Sequence, residues 1–153
     1  MLTLPYFKQE TPYDCGAASL QMICAYFGKT KNQHELSARL GSGPEIWVPN
    51  EKLEAVAKEE GFFTQCKIMA TFDDLTQYID AKIPTIINYL DSENHEGHFA
   101  VVIDVTNTHV VLNDPWYGKE FQLTRDYLAD HWYSFEGDRP QWVLAISDKP
   151  FTY

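Results

Sequence analysis

Four residues in this 153-residue chain are of the types that thiol-dependent hydrolysis uses. Gln9 lies six positions before Cys15, at the expected start of a helix. His98 opens one apolar run, and Asp114 closes another. A thiolate can attack a carbonyl, a histidine can move the proton, a carboxylate can orient the histidine, and an amide can donate to the oxyanion. The four residues therefore indicate a thiol-dependent hydrolase.

Cys15 is the expected nucleophile, because the first-turn N–H groups of a helix stabilise an anion. The small residues that follow it leave room for a substrate backbone to approach the sulfur. A structural cysteine at a helix start is the alternative. Cys24 and Cys66 lie in apolar patterns, and we expect both to be inert core residues. Gln9 would donate its side-chain NH₂ to the oxyanion, with a backbone N–H near Cys15 as the second donor.

His98 is the expected base, because the β-branched run after it predicts a strand rigid enough to hold the ring. His109, at the start of the next strand, is its one serious rival. Asp114 would accept Nδ1–H from His98 and fix the tautomer. In a regular hairpin, however, Asp114 would lie opposite Val101 and on the other face of the sheet from His98.

The pairing of His98 with Asp114 therefore requires a β-bulge or a different loop register between the two strands. Asp104 and Asn113 are the other candidate orienting groups. Asp104 shares the face of His98 by parity, but six residues of strand separate the two by roughly 20 Å. Asp104 is thus the weaker of these candidates.

The elements that must hold these residues divide into helices first and strands second. Helical periodicity after Asp14, an expected N-cap, predicts a helix over 15–27. Capping signals predict helices from Asn32 to Leu40, from the N-cap Asn50 to Glu60, and over 72–81 after Thr71. The predicted strands cover 62–68, 84–90, 98–105, 109–112, 121–123 and 141–147, with a short helix over 124–131.

This order predicts an α+β fold, with N-terminal helices packed against a C-terminal antiparallel sheet and a cleft between them. The length suits a single domain over residues 1–153. With 12 basic and 22 acidic residues the net charge is −10, which argues against nucleic acid as a partner. We expect no membrane span, because no apolar run approaches about 18 residues, and a cytoplasmic location, because no signal peptide precedes the domain. Cysteine and histidine spacing predicts no metal site, and no cofactor is expected.

These motifs together resemble the double-glycine-leader peptidases, the cysteine peptidase domains of bacteriocin-exporting ABC transporters, within the papain-like superfamily. The resemblance covers about residues 5–121. It implies a papain-like fold, a peptide or protein substrate, Cys15 as nucleophile, His98 as base, Asp114 as orienting group and Gln9 as oxyanion donor. The matching pieces are Gln9, Asp14-Cys15-Gly16-Ala17, His98-Phe99-Ala100-Val101-Val102, and Asn113-Asp114-Pro115 with Gly118.

Two features depart from that family pattern. No transmembrane or nucleotide-binding region follows, so we expect a free-standing relative whose export system, if it has one, is not encoded in this chain. The acidic segment 91–97 before His98 is expected to alter substrate access, which leaves cleavage after Gly-Gly open. Two alternatives remain: a related thiol-dependent amidase or transferase, and a catalytically silent peptide-binding module whose groove is lined by Trp47, Trp116, Tyr117 and Trp132.

Overall fold

The core of the molecule is a cluster of buried apolar side chains shared by helices and a sheet. The computed structural model describes residues 1–134 and 139–152. The expected domain, residues 1–153, therefore includes residues 135–138 and 153, which lie outside the described part. In chain order the elements are α1 Cys15–Tyr26, α2 Gln33–Leu40, α3 Asn50–Glu59, β1 Phe63–Lys67, α4 Phe72–Asp80, β2 Thr85–Asp91, β3 Glu96–Val105, β4 His109–Asp114, β5 Gly118–Thr124, α5 Arg125–His131 and β6 Val143–Ser147.

Local capping explains where two of the predicted helices begin. The Asn32 side chain accepts from the backbone N–H of Glu35, and α2 ends at Gly41 in the left-handed region with φ 71°. Thr71 and Asp74 form a complete capping box at the start of α4. Both helices were predicted from these residues, and both predictions are confirmed.

The predicted N-cap of α3 is wrong. Pro49 is the N-cap residue, and Asn50 is already the first residue of the helix. The Asn50 side chain is buried and accepts a 2.9 Å hydrogen bond from the Asn88 amide on β2. Its polar group is therefore used to join α3 to the sheet, which leaves it unable to cap the helix.

Helix α1 is buried on almost all sides, between α2 and strand β3. Asp14 occupies its N-cap position as predicted, but the carboxylate makes no capping hydrogen bond. It accepts instead from the hydroxyl groups of Ser37 on α2 and Thr11, at 2.5 and 2.6 Å. The residue before Cys15 is thus fixed by two neighbouring segments.

The six strands form one antiparallel sheet in the order β1-β6-β2-β3-β4-β5 within the described residues. The register of β3 against β4 shifts between Val102 and Asp104. Val101 consequently pairs with Asn113, and one further residue brings Asp114 level with Ala100. Because Ala100 and His98 are two residues apart, they share a face of the sheet. The bulge that the His98–Asp114 pairing requires is therefore present.

The predicted α+β architecture is confirmed, with helices α1 to α3 preceding most of an antiparallel sheet. Strand β3 begins two residues earlier than predicted, so Glu96 and Gly97 belong to the strand that carries His98. None of the helices in 1–134 and 139–152 has the length and apolar content that a membrane crossing needs.

Candidate active site

Cys15 and His98 come from the two layers of the fold. Cys15 is the first residue of α1 and is partly exposed. His98 lies near the start of β3 and is only 6% exposed. Both side chains line the same cleft, and the Cys15 thiol is one of the groups that raise the pKa of His98. The structure therefore brings the predicted nucleophile and base to one cleft.

The His98 ring also contacts Asp114, which is fully buried at the end of β4. Nε2 lies 2.7 Å from Oδ1 of the carboxylate. The prediction that Nδ1 faces Asp114 is thus wrong, and Nδ1 is the ring nitrogen left for Cys15. The physical reason is reach, because Nε2 is the nitrogen farther from the backbone and so extends across to β4. The order of the three groups, Cys15–His98–Asp114, is as expected.

The Asp114 carboxylate accepts hydrogen bonds from four donors in the part of the chain that the structure describes. Besides His98, the backbone N–H groups of Trp116 and Tyr117 donate to Oδ1 at 2.9 and 3.0 Å. The Tyr89 hydroxyl donates to Oδ2 at 2.7 Å. A buried carboxylate is tolerated only when such donors replace water. These contacts fix both the position and the charge of Asp114.

Hydrogen bonding outweighs burial in setting the charge of this pair. Burial tends to lower the pKa of His98, but the hydrogen bonds to Asp114 and Cys15 raise it from 6.5 to about 10. Burial alone would raise the pKa of Asp114, whereas the hydrogen bond and charge of His98 hold it below its ordinary value. The site therefore favours an imidazolium next to an ionised carboxylate at neutral pH.

Tyr89 is a contact of the candidate site that the sequence reasoning missed. It lies on β2 directly opposite His98, with ring centroids 5.5 Å apart in an edge-on arrangement. Burial and the neighbouring Asp114 charge raise the pKa of Tyr89, so the phenol stays a neutral donor. The available signal was the β2–β3 hairpin register, which pairs the two residues. The Tyr6 hydroxyl, which donates to the Asp114 carbonyl at 2.6 Å, had no such signal.

The alternative residues considered from the sequence have other partners. His109 is bonded through Nδ1 to the neighbouring Thr108 hydroxyl. Asp104 lies 3.9 Å from the N-terminal amine, and Asn113 accepts from the backbone N–H of Glu120. None of these contacts reaches His98.

Gln9 is buried beside His98, in a small pocket that both residues line. One N–H of its amide donates to the Thr11 carbonyl at 2.8 Å, and its backbone N–H donates to the Pro115 carbonyl at 3.0 Å. The first bond orients the Gln9 side chain, and the second connects its backbone to the residue that follows Asp114. The second amide hydrogen is left for another acceptor.

The other two cysteines differ from each other. Cys24 is buried as predicted, and burial, with the nearby Glu60 charge, raises its pKa to about 11. Cys66 is exposed, so its prediction as a core residue is wrong. Strand β1 lies at the edge of the sheet, which leaves this position open to solvent. The Cys66 sulfur accepts from the Trp142 indole, and burial of the thiol raises its pKa.

A cleft of about 320 Å³ opens beside Cys15 and His98. Residues 43–51, which lead into α3, form one side, and residues 96–99 of β3 contribute to its lining. Ile46 and Trp47 are 54% and 53% exposed here, so the cleft has an apolar rim. An open cleft of this size next to a thiol can hold several residues of an extended peptide.

The family assignment rests on the sequence as a whole. The profile of the Peptidase C39 family matches residues 3–135, which contain Gln9, Cys15, His98 and Asp114. The chain belongs to the Peptidase C39 family. This is a family of cysteine peptidases, so the thiol at the start of α1 lies in the chemical context that the sequence predicted.

Relatives of this C39 domain include one curated protein. The present chain is 27% identical over 132 residues to this relative, the "Probable microcin-H47 secretion/processing ATP-binding protein MchF" of Escherichia coli. The match covers 82% of this chain but only 16% of that protein. The chain therefore spans only a small part of the length of the relative that it matches.

Two solved structures share the fold of this C39 domain. One is a double glycine motif protease from an AMS/PCAT transporter in complex with the leader peptide, with 19% identity, a TM-score of 0.74, and 94% and 91% of the two chains covered. The other is the peptidase domain of Streptococcus ComA, a bi-functional ABC transporter, with 18% identity, a TM-score of 0.77, and 97% and 100% covered. At these identities the likeness concerns the fold.

Only part of the aromatic groove expected from the sequence is present in this C39 domain. Trp47 lines the cleft, and Trp116 lines the smaller pocket beside His98. Trp132 is buried in the core, and Tyr117 stacks on Phe121 and bonds to Asp91, so neither lines the cleft. In the described part of the chain, no group of three or more His, Cys, Asp or Glu side chains is arranged to hold a metal.

Proposed function

We propose that this C39 domain hydrolyses a peptide bond through an acyl-enzyme on Cys15. The observation that carries the proposal is the position of the His98 ring, which is hydrogen-bonded to the buried Asp114 and lines the same cleft as Cys15. The raised pKa of His98 means that the ring can hold the thiol proton at neutral pH. The sulfur then attacks as a thiolate, next to the N–H groups of the first turn of α1.

The tetrahedral intermediate carries a negative oxygen that needs donors. The free amide hydrogen of Gln9 and a backbone N–H at the start of α1 are the donors that we propose. The hydrogen bond from Gln9 to the Thr11 carbonyl supports this role, because it holds the amide in one orientation before substrate binds. His98 then gives its proton to the leaving nitrogen, and the peptide bond breaks.

Deacylation repeats the same steps with water in place of the thiol. His98 accepts a proton from the attacking water, and the resulting oxygen attacks the thioester carbonyl. The acid product leaves, and Cys15 is restored with the proton shared by the His98 ring. Asp114 stays ionised throughout and keeps the ring oriented, since its four donors are independent of the substrate.

We propose a peptide with a Gly-Gly leader end as the substrate, and an export system as the partner. Support comes from the family assignment, from the curated relative named for secretion and processing, and from the double glycine motif protease solved with its leader peptide. The shared buried core supports a single domain. The cytoplasmic location expected from the sequence stays a prediction.

The proposal is tested with a fluorogenic peptide that carries Gly-Gly before the scissile bond. The wild-type protein should cleave it, and Cys15→Ala should lower turnover by about 10³-fold or more while peptide binding is retained. Cys66→Ala is the matched control, because it removes an exposed thiol outside the cleft and should leave turnover intact. Retained turnover in Cys15→Ala would contradict the proposal, whereas binding without turnover in the wild type would indicate the silent module.

Alkylation gives a second readout that does not depend on the choice of peptide. Iodoacetamide at about pH 6 should label Cys15 before the other two thiols, because their raised pKa values keep them protonated. Peptide mapping by mass spectrometry identifies the labelled residue. Equal labelling of Cys15 and the exposed Cys66 would argue against an activated nucleophile.

A further inference from the structure

A second, smaller pocket of about 100 Å³ lies beside His98. His98 lines both this pocket and the main cleft, whereas Cys15 lines the main cleft and not this pocket. His98 has to protonate the leaving nitrogen, so the peptide that departs must lie next to this ring. We therefore call this the leaving-group pocket; its volume suits one side chain. It is lined by Gln9, Asp91, Asn94, Glu96, His98 and Trp116, with Pro12 at its edge.

The leaving-group pocket contains a buried carboxylate without a cationic partner. Asp91 is 5% exposed, and its oxygens accept from the Tyr117 hydroxyl, the Asn94 amide and the Glu93 backbone N–H, at 2.7 to 3.1 Å. All three donors are neutral. Within 1–134 and 139–152 no lysine, arginine or N-terminal amine forms an ion pair with Asp91.

Glu96 adds a second negative charge to the same pocket. It lies on β3 two residues before His98, lines both the pocket and the cleft, and forms no ion pair in the described residues. Glu60, a similarly shielded carboxylate, is compensated by contrast, because it pairs with Lys31 and Arg39. The charge of the leaving-group pocket is therefore unbalanced, which favours a cationic ligand.

An unpartnered acceptor in the same pocket supports this reading independently. Gln9 is 6% exposed, and its Oε1 has no hydrogen-bond donor in the described part of the chain. A buried amide oxygen without a donor is unfavourable, because it has lost its hydrogen bonds to water without replacement. An ammonium or guanidinium group bound in the pocket carries donors of the kind that this oxygen lacks.

We infer that the leaving-group pocket binds the side chain of a lysine or arginine that directly follows the scissile bond. This inference rests on the proposed function for its orientation, because it takes the pocket as the amine side of the cleaved bond. It adds a preference that the Gly-Gly end does not specify. The acidic residues before His98 thus select the peptide that is released, in contrast to the acyl part that Cys15 retains.

A hydrolysis experiment measures this preference directly. Three peptides share one Gly-Gly leader end and differ only in the next residue: lysine, the uncharged norleucine, or glutamate. We expect kcat/KM for lysine to exceed that for norleucine by about tenfold or more, and glutamate to be the poorest. Glu96→Gln should reduce the lysine preference several-fold. Asp130→Asn makes the same charge change on an exposed carboxylate outside both pockets and should keep it.

A binding experiment makes the inference independent of turnover. Short acetyl-capped peptides that begin with lysine or norleucine are titrated into Cys15→Ala by calorimetry, so that the side chain alone carries the charge. Tighter binding of the lysine peptide, weakened by Glu96→Gln and not by Asp130→Asn, supports the pocket. Equal binding and equal kcat/KM for both peptides would overturn it while leaving the proposed function intact. If no peptide is cleaved, the proposed function fails and the calorimetric comparison decides the pocket.

Discussion

At Asp114, a fully buried carboxylate has a ring nitrogen, a phenol and two backbone N–H groups as donors. Desolvation of a carboxylate would normally raise its pKa, but the contact with His98 outweighs that effect. The charge on Asp114 in turn raises the pKa of His98. The charge of the His98 ring therefore depends on Asp114, which lies 16 positions farther along the chain.

Replacing Asp114 by asparagine tests this dependence with little change of shape. Asparagine keeps the acceptor oxygen that receives three of the bonds, and the Tyr89 hydroxyl can accept from the new NH₂ group. The fold should survive, while kcat falls by about 100-fold or more because the imidazolium loses its counter-charge. Asp104→Asn is the control, since Asp104 does not contact His98. Equal activity of the two variants would contradict the role of Asp114.

The raised pKa of His98 predicts a pH dependence of stability. A group whose pKa is higher in the folded than in the unfolded state stabilises the fold below the unfolded pKa, here 6.5. That stabilisation is lost as the pH rises through about 10. The difference in unfolding free energy between the wild type and His98→Gln should therefore become smaller between these two pH values. We expect the decrease to be about 1.4 kcal/mol or more. Urea titrations at several pH values measure it, and a constant or widening difference would contradict the raised pKa.

Three of the site residues were predictable from type and position, and the details of their contacts were not. Cys15 begins a helix, His98 opens one apolar run and Asp114 closes another, all of which are local features. Which ring nitrogen faces Asp114 depends on the reach from β3 to β4, which no local pattern encodes. Tyr89 contributes through cross-strand pairing, so it was visible only once the register of β2 on β3 was known.

At the level of the elements, α1 is positioned by its start as much as by its buried faces. The Ser37 hydroxyl on α2 donates to the carboxylate of Asp14, which directly precedes Cys15. In the sheet, the bulge between Val102 and Asp104 positions the other half of the site, because it brings Asp114 onto the face of His98. The Asp14–Ser37 contact and the bulge thus each position one half of the site.

Removing the Ser37 hydroxyl should destabilise the start of α1. Ser37→Ala leaves a buried carboxylate oxygen without its donor, and we expect the unfolding free energy to fall by about 1–3 kcal/mol. Turnover should fall as well, because the Cys15 position is less well fixed. Ser19→Ala is the matched control: Ser19 is fully buried on α1 and its hydroxyl has no partner among the described residues, so its loss should be neutral or slightly stabilising. An equal effect of both variants would contradict the anchoring role.

The elements were predicted well where the signal is local. The Thr71–Asp74 capping box and the glycine after α2 determined helix ends that the structure confirms. The prediction that Asn50 caps α3 was wrong, because its amide bonds to Asn88 on β2, a contact between distant parts of the chain. The bulge could be inferred as a requirement of the chemistry, but its position at Val102–Asp104 required the structure.

For the whole molecule, the net charge of −10 creates a field that acts on any charged peptide. The helical layer and the sheet meet at the Cys15 cleft, where Glu45, Glu51 and Glu96 contribute carboxylates. Glu51 is paired with Arg139, whereas the pocket beside His98 has no such compensation. Approach of a cationic peptide should therefore be favoured over that of an anionic one.

Salt should weaken this attraction selectively. Raising the ionic strength from about 0.1 to 1 M shortens the screening length from about 10 to 3 Å. We expect kcat/KM for the peptide with lysine after Gly-Gly to fall several-fold, while that for the norleucine peptide stays within about twofold. Stopped-time assays at four salt concentrations give the slope for each peptide. Parallel slopes for the two peptides would contradict electrostatic selection by this protein.

The central claim is that Cys15, held by His98 and Asp114, becomes covalently acylated during turnover. Rapid quenching in acid followed by mass spectrometry, with a Gly-Gly peptide ester as the substrate, tests it most directly. The account predicts one acyl group per molecule, mapped to the peptide that contains Cys15, and slower loss of that group in Asp114→Asn. Steady hydrolysis with no acyl group on Cys15, or with the group on Cys66, would contradict it.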